Sequence, residues 1–314
     1  MGSTVLTGPA MRGEQGWRGD TAVKRIVTAV LAATLRRFPD LRSEALSITL
    51  VLLNRRTPIG YAYRGDQLTY PASLVKLFYL VAAQAWLEAG RIARPAELEG
   101  ALPAMIRQSS NDATAHVLDL LTRTTGGPAL SPKAFSSWLS RRRAVNRYFA
   151  RWGCPEFSHI NLTQKTWSQG PYGREEESLA LPGNRNRLSS DAVARLLLAI
   201  ARGEAVSRKR SAAMRNLMER STTGNDDKAN PMNQVIGFLG EGLPAGSRLW
   251  SKAGWMSSVR HDGAIVRLPD GTRFVLVVFS RGMAQAQNRR LLPFIARQVV
   301  RRVGGRTQAR KRRK

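Results

Sequence analysis

Three short runs in this chain carry residue types suited to acyl transfer. The first is Tyr70-Pro71-Ala72-Ser73-Leu74-Val75-Lys76, continuing into Leu77-Phe78-Tyr79-Leu80-Val81-Ala82-Ala83. Pro71 favours an extended entry and pre-sets a helix start, and no Gly or Pro follows until Gly90. Ser73 is therefore predicted in the first turn of a mostly apolar helix. Lys76 lies on the same face and leans back toward the N-terminus, within reach of the Ser73 hydroxyl. Free backbone N–H groups at a helix start favour a developing oxyanion. A serine, a base and an anion site in one turn form a nucleophile apparatus. Alone, the Ser-x-x-Lys pattern is weak, because about one match is expected by chance in such a chain. A capping serine and a solvated lysine would look the same.

The second run, Ser109-Ser110-Asn111, falls between two predicted helices, where Ser and Asn also serve as N-caps. The third, Lys252-Ala253-Gly254, ends a predicted strand, where Gly allows close backbone approach. Competing chemistry is sparse. Cys154 is the only cysteine, which excludes an internal disulfide and a Cys-based metal site. His116, His159 and His261 are scattered without a recognisable triad motif, and structural roles are the simpler reading for the first two. Neither a metal nor a cofactor is expected.

The elements that must position these residues can be read from periodicity. Val23, Ile26, Val27, Val30, Leu31 and Phe38 recur at helical spacing, with Asp20 as cap and Pro39 as stop. Leu46 to Leu53 and Ile59 to Arg64 read as a hairpin. Helices are predicted from the Ser73 turn through Arg91, from Pro103 to Arg107, from Asn111 to Leu121, from Pro132 to Trp152 and from Ser190 to Arg202. Gly153 to Tyr172 and Leu181 to Arg187 read as loops. Strands return at Leu249 to Lys252, Gly263 to Arg267 and Phe274 to Phe279, with Pro269-Asp270-Gly271 as a turn. An amphipathic helix using Leu291, Leu292, Ile295, Val299 and Val303 closes the chain. The expected fold is α+β: a five-stranded antiparallel sheet from both chain ends, flanked by helices, with an inserted helical lobe. The sheet lobe spans 20–70 and 241–304, the helical lobe 71–240.

With 314 residues and an ordinary apolar fraction, the chain can bury a large core. No run approaches the roughly 18 apolar residues of a membrane span. Residues 1–19 are polar and Gly-rich, read as disordered, and lack the basic-then-apolar plan of a secretory signal. A cytoplasmic location follows for the chain as given, with a periplasmic or secreted one as the alternative if the start is truncated. The net charge is +28, and 305–314 reads as a disordered basic tail able to contact polyanions nonspecifically.

The order of the three runs, inside a split sheet with a helical insert, resembles the penicillin-recognising serine hydrolases, above all the class A β-lactamases and their relatives. The resemblance covers roughly Thr21 to Val303. It implies that Ser73 is the acylated nucleophile and Lys76 its proton acceptor. Ser109 would relay a proton to the leaving nitrogen, and Asn111 would hold the substrate's amide side chain. Lys252 would sit near the substrate carboxylate and near Lys76, with Gly254 beside it. Backbone N–H groups of Ser73 and Trp255 would form the oxyanion hole. Lys76 serves as a base only if burial and a neighbouring cation, Lys252, lower its pKa.

Departures from the family pattern bear on deacylation and substrate. Glu176-Glu177-Ser178-Leu179 matches the start of the water-activating Glu-x-x-Leu-Asn element, but Ala180 replaces the Asn. Which of Glu175, Glu176 and Glu177 faces the nucleophile stays open. An insert covers about 141–173, and Gln164 to Trp167 with Tyr172 to Arg174 either line the cleft or form an aromatic-capped loop. Lys-Ala-Gly stands in place of Lys-Thr-Gly; bulky Trp255 follows it, and Arg260 is the candidate replacement anion contact. The first reading is a β-lactamase-like serine hydrolase acting on a lactam or related amide, with antibiotic resistance or lactam catabolism as its setting. The alternatives are a penicillin-binding-type peptidase or esterase, and a non-catalytic basic binding protein on the same scaffold.

Overall fold

Asp20 starts the first element: its carboxylate accepts the backbone N–H groups of Ala22 and Val23 at 2.9 Å each. The computed structural model describes residues 19–93, 96–167, 170–222 and 233–304. The expected basic tail and all but Gly19 of the expected N-terminal segment lie outside the described residues.

Helix α1 (Thr21–Arg37) is followed by the hairpin β1 (Leu46–Leu52) and β2 (Ile59–Tyr63). A single 3-10 turn, Ala72–Leu74, leads into α2 (Val75–Glu88). Then come α3 (Ala96–Ile106), α4 (Asn111–Thr122), α5 (Pro132–Arg142), α6 (Ala144–Ala150), α7 (Arg174–Ala180), α8 (Ser190–Arg202) and α9 (Arg208–Met218). The sheet resumes with β3 (Glu219–Arg220), β4 (Arg248–Met256), β5 (Val259–Arg267) and β6 (Arg273–Arg281), and α10 (Met283–Gln287) and α11 (Leu291–Val303) follow.

The sheet is antiparallel, in the order β2-β1-β6-β5-β4-β3, so the first hairpin docks on the last strand. It has six strands where the sequence suggested five. The extra one, β3, pairs only Glu219 with Trp250 and Arg220 with Leu249, too short a run to show an alternating pattern. Strand β6 is apolar from Phe274 to Phe279 because both its faces are covered. Phe274, Leu276 and Val278 join the core with α1 and α11, while Val275, Val277 and Phe279 join the core with α2 and α8. Helix α8 is buried nearly all round, as its position between sheet and helical lobe demands. Thr49 of β1 ties its start to the sheet, bonding Ser190 Oγ and Asp191 Oδ1 at 2.9 Å each.

Within the helical lobe the boundaries depart from expectation at prolines and loops. The Pro103 helix begins already at Ala96 and carries Pro103 inside it. The stretch from Pro132 divides in two, α5 and α6, around Arg143. Helices α7 and α9 had no individual sequence signal. Among the described residues no helix is long and apolar enough to cross a membrane.

Candidate active site

Ser73 lies half-buried in the 3-10 turn where α2 begins. The turn is held from two sides. Ala72 has φ +47, a left-handed conformation that a Cβ disfavours, so its surroundings must enforce it. His261 of β5 supplies one restraint: its Nδ1 accepts the Ser280 N–H at 3.1 Å, so Nε2 carries the proton and donates to Tyr70 O at 3.1 Å. The ring stacks on Phe279 with centroids 4.3 Å apart, and burial lowers its pKa to about 4, keeping it neutral. Gly254 of β4 supplies another. A Cβ there would stand 2.9 Å from Pro71 O and from Ser73 N, so only glycine lets the strand press against the turn.

Lys76 is completely buried in the first turn of α2. Its amine does not hydrogen-bond Ser73 directly. It donates instead to Ser109 O at 2.5 Å, Asn111 Oδ1 at 3.0 Å and Ser109 Oγ at 3.2 Å. Lys252, on β4 and also fully buried, reaches the same hydroxyl from the far side. Its Nζ lies 3.0 Å from Ser109 Oγ, 2.7 Å from Ala253 O and 2.6 Å from Gln234 Oε1. Ser109 thus bridges two amines, and it does so at φ +58, another left-handed non-glycine.

Burial lowers the Lys76 pKa to about 7. It drives Lys252 well below its ordinary value too, with the charge of Lys76 adding to the effect. Asp262 pushes the other way on Lys252, but its own carboxyl is raised to about 7 by burial and accepts the Leu239 N–H at 2.9 Å. Among the described residues no carboxylate forms an ion pair with either lysine. A neutral amine has one lone pair and a serine hydroxyl one proton, so either lysine can accept from Ser109 Oγ. The three groups form a proton-transfer path, and their titration belongs to the set rather than to one lysine.

The structure brings Ser73, Lys76, Ser109, Asn111, Lys252 and Gly254 together from the turn that opens α2, α2 itself, the α3–α4 connection, the start of α4, and β4. The other expected site residues lie elsewhere. Gly254 faces Ser73, so Trp255 points to the opposite sheet face by strand alternation. There it packs on Phe238, with centroids 5.4 Å apart. Arg260 pairs with Trp255 in register and shares that face. Its Nε donates to Ala286 O at 2.8 Å, and its guanidinium lies 4.8 Å from the Phe238 centroid. The Arg260 guanidinium, the expected replacement anion contact, thus lies on the sheet face away from Ser73, and the Trp255 side chain lies with it. Glu176 is exposed on α7, with no bond to Lys76. Its neighbour Glu175 turns inward, 2.5 Å from Arg142 Nη2.

Several contributing residues escaped the sequence. Gln234 orients Lys252 and donates from Nε2 to Arg107 O at 2.8 Å, linking β4 to the end of α3. The insert reaches the cluster through Trp167, whose carbonyl accepts from Asn111 Nδ2 at 3.2 Å. Gln164 does not line a cleft: it is locked to Asn186 by mutual side-chain and backbone bonds. No short motif surrounds Gln234 or His261, and only the fold reveals them.

Among curated proteins no match was found. Solved structures share the fold. A beta-lactamase from Sphaerobacter thermophilus superposes with TM-score 0.64 at 22% identity, covering 88% of this chain and 97% of that one. A class A beta-lactamase representative from Bacteroides cellulosilyticus gives TM-score 0.62 at 14% identity, covering 91% and 100%. A PBP-A variant, solved as an acyl-enzyme complex with penicillin G, gives TM-score 0.60 at 19% identity, covering 92% and 97%. The model of the beta-lactamase enzyme family matches residues 31–303, which take in both halves of the sheet and everything between them. The chain therefore belongs to the beta-lactamase enzyme family.

Proposed function

We propose that the protein opens a β-lactam or related amide through an acyl-Ser73 intermediate and releases the acyl group slowly. The observation that carries this reading is the buried Lys76–Ser109–Lys252 path, with Lys76 poised near pH 7. Ser73 Oγ bonds to the carbonyl carbon as its proton passes to neutral Lys76. The oxyanion meets the backbone N–H groups of Ser73 and Trp255. The C–N bond then breaks, Ser109 Oγ gives its proton to the leaving nitrogen, and Lys76 returns one to Ser109. Asn111, anchored between Lys76 and Trp167 O, presents its amide to the substrate.

Slow release is supported by Glu176, which is exposed, and by Glu175, which is occupied by Arg142. Neither touches the cluster, so neither is placed to activate water there. The same observation favours a second reading, a penicillin-binding-type peptidase or esterase. The PBP-A variant with bound penicillin G shows that this fold can be captured as an acyl-enzyme.

Intact-protein mass spectrometry after brief and long exposure to a penicillin, beside a chromogenic cephalosporin assay, tests the proposal. An adduct on Ser73 that outlasts the brief exposure is expected, with Ser73→Ala lowering acylation by about a thousandfold or more. A Ser73→Ala variant that still acylates or hydrolyses would sink it. Faster turnover of small esters than of lactams would select the peptidase or esterase reading.

A further inference from the structure

The helices that begin at the active site end at a second hollow. Helix α4 starts at Asn111 and is twelve residues long, so its far end lies about 18 Å away. Helix α2 starts beside Ser73 and runs the same way. At those far ends a cavity of about 220 Å³ is floored by Trp86, Leu121, Ala144 and Tyr148. Its rim carries Arg91, Arg123, Arg141, Arg147 and Arg151, all exposed, and no carboxylate lines it.

Basic residues at helix C-termini need no ligand to explain them, because they complement the helix dipole. Arg123 caps α4, Arg141 sits in the last turn of α5 and Arg147 in the last turn of α6. The dipole does not explain why these ends converge on one concavity with Arg91 and Arg151 added. Nor does it explain the missing counterions. Arg142, Arg195, Arg210 and Arg248 elsewhere all pair with carboxylates, whereas among the described residues none of the five rim arginines does. Their bonds go to neutral acceptors: Arg147 Nη1 to Ser140 O at 2.6 Å, Arg141 Nη1 to Ser137 Oγ at 3.0 Å and Arg123 Nη2 to Arg91 O at 3.5 Å. Arg91 also lies over Trp86, 5.2 Å from the ring centroid, which fixes it at the rim. Each guanidinium has five N–H donors, so most are left without a protein acceptor among the described residues. Arg123 is held there in a left-handed conformation, φ +51.

We propose that this hollow is a binding site for a small phosphate ester carrying at least two negative charges, its phosphoryl group held by the arginine rim. Planar guanidinium forks match phosphate oxygens in bidentate fashion, and bound charge relieves the mutual repulsion of the rim. The cavity suits a small head group; a polymer backbone would need an open stripe of charge.

Calorimetric titration of the full chain with inorganic pyrophosphate at about 0.15 M salt tests this. The double variant Arg123→Ala/Arg147→Ala is compared with Arg25→Ala/Arg36→Ala on exposed positions of α1, which removes the same charge far from the hollow. Saturable binding is expected, weakened about tenfold or more by the first pair and changed less than about twofold by the second. Equal weakening by both pairs, or no saturation, would overturn the site. An oligonucleotide without terminal phosphate should fail to displace pyrophosphate, and displacement would point to a phosphodiester polymer instead. Phenylglyoxal footprinting of the unmodified chain needs no variant. Pyrophosphate should shield Arg91, Arg123 and Arg147 selectively, and uniform shielding counts against the proposal.

Discussion

Arg142 at the end of α5 meets Lys165 of the long connection between α6 and α7 across Asp119, while Lys76 and Lys252 lie between α2, α4 and β4. Both pairs are buried, yet they are compensated differently. Arg142 Nη2 meets Glu175 at 2.5 Å and Asp119 at 3.1 Å, and Lys165 Nζ meets Asp119 at 2.6 Å. Two cations face two carboxylates, and the group is locked. Burial raises the Glu175 carboxyl, and Arg142 and Lys165 oppose that shift. Around Lys76 and Lys252 the partners are a hydroxyl, amides and carbonyls, so the cost of buried charge is met by releasing protons. A guanidinium cannot take that route, and a lysine can. One region gains fixed geometry; the other gains an amine able to accept a proton.

The contrast can be broken from the paired side first. Glu175→Gln leaves Arg142 without its closest counterion, and we expect a loss of about 3–5 kcal/mol in denaturant-unfolding stability. The acylation rate of the folded fraction should change little. A small stability change with a large rate loss would mean that this cluster belongs to the chemistry.

His261 is a third buried base, and burial lowers its pKa as it lowers those of the two lysines. Its pKa falls from an ordinary 6.5 to about 4 in the folded state, so between those values the unfolded chain binds the extra proton. Stability should be complete above about pH 6.5 and decline as pH falls toward 4, by on the order of 3 kcal/mol. Unfolding curves across that window, repeated for His261→Gln, should show a shallower decline in the variant.

Lys76 sharpens the other side. Below about pH 7 it is protonated and cannot accept the Ser73 proton. Acylation should therefore fall about tenfold per pH unit below that value, roughly a hundredfold by pH 5. Stopped-flow acylation across this range reads the limb, and Lys76→Arg should remove activity without restoring it at high pH. A flat profile would transfer the base role elsewhere.

The smallest effect belongs to Glu176→Gln. An exposed carboxylate outside the network should alter stability by less than about 0.5 kcal/mol and leave adduct lifetime unchanged. A clearly longer-lived adduct would return Glu176 to the cleft.

Much of this organisation is legible in residue order. Asp20 and Pro39 bracket α1, alternating and apolar runs mark β1, β2 and β6, and the three motif runs carry Ser73, Lys76, Ser109, Asn111, Lys252 and Gly254. These are local signals, set by caps, periodicity and residue type. The two-residue β3 and the divided α5–α6 stretch are not legible, because packing against neighbours defines them.

Direction is what residue order leaves undetermined. Glu175, Glu176 and Glu177 are near-identical in sequence, but successive residues on a helix point about 100° apart, and only contact with Arg142 selects Glu175 for burial. Trp255 and Arg260 look adjacent to the motif, yet strand parity turns both to the far sheet face. Lys76 stands three positions from Ser73, and the depth of α2 in the core directs its amine to Ser109 and Asn111. The sequence by itself determined which groups are present and where helices and strands carry them. Which of them meet, and which lysines have lowered pKa values, depends on the packed fold, because burial and counterions arise from elements far apart in the chain.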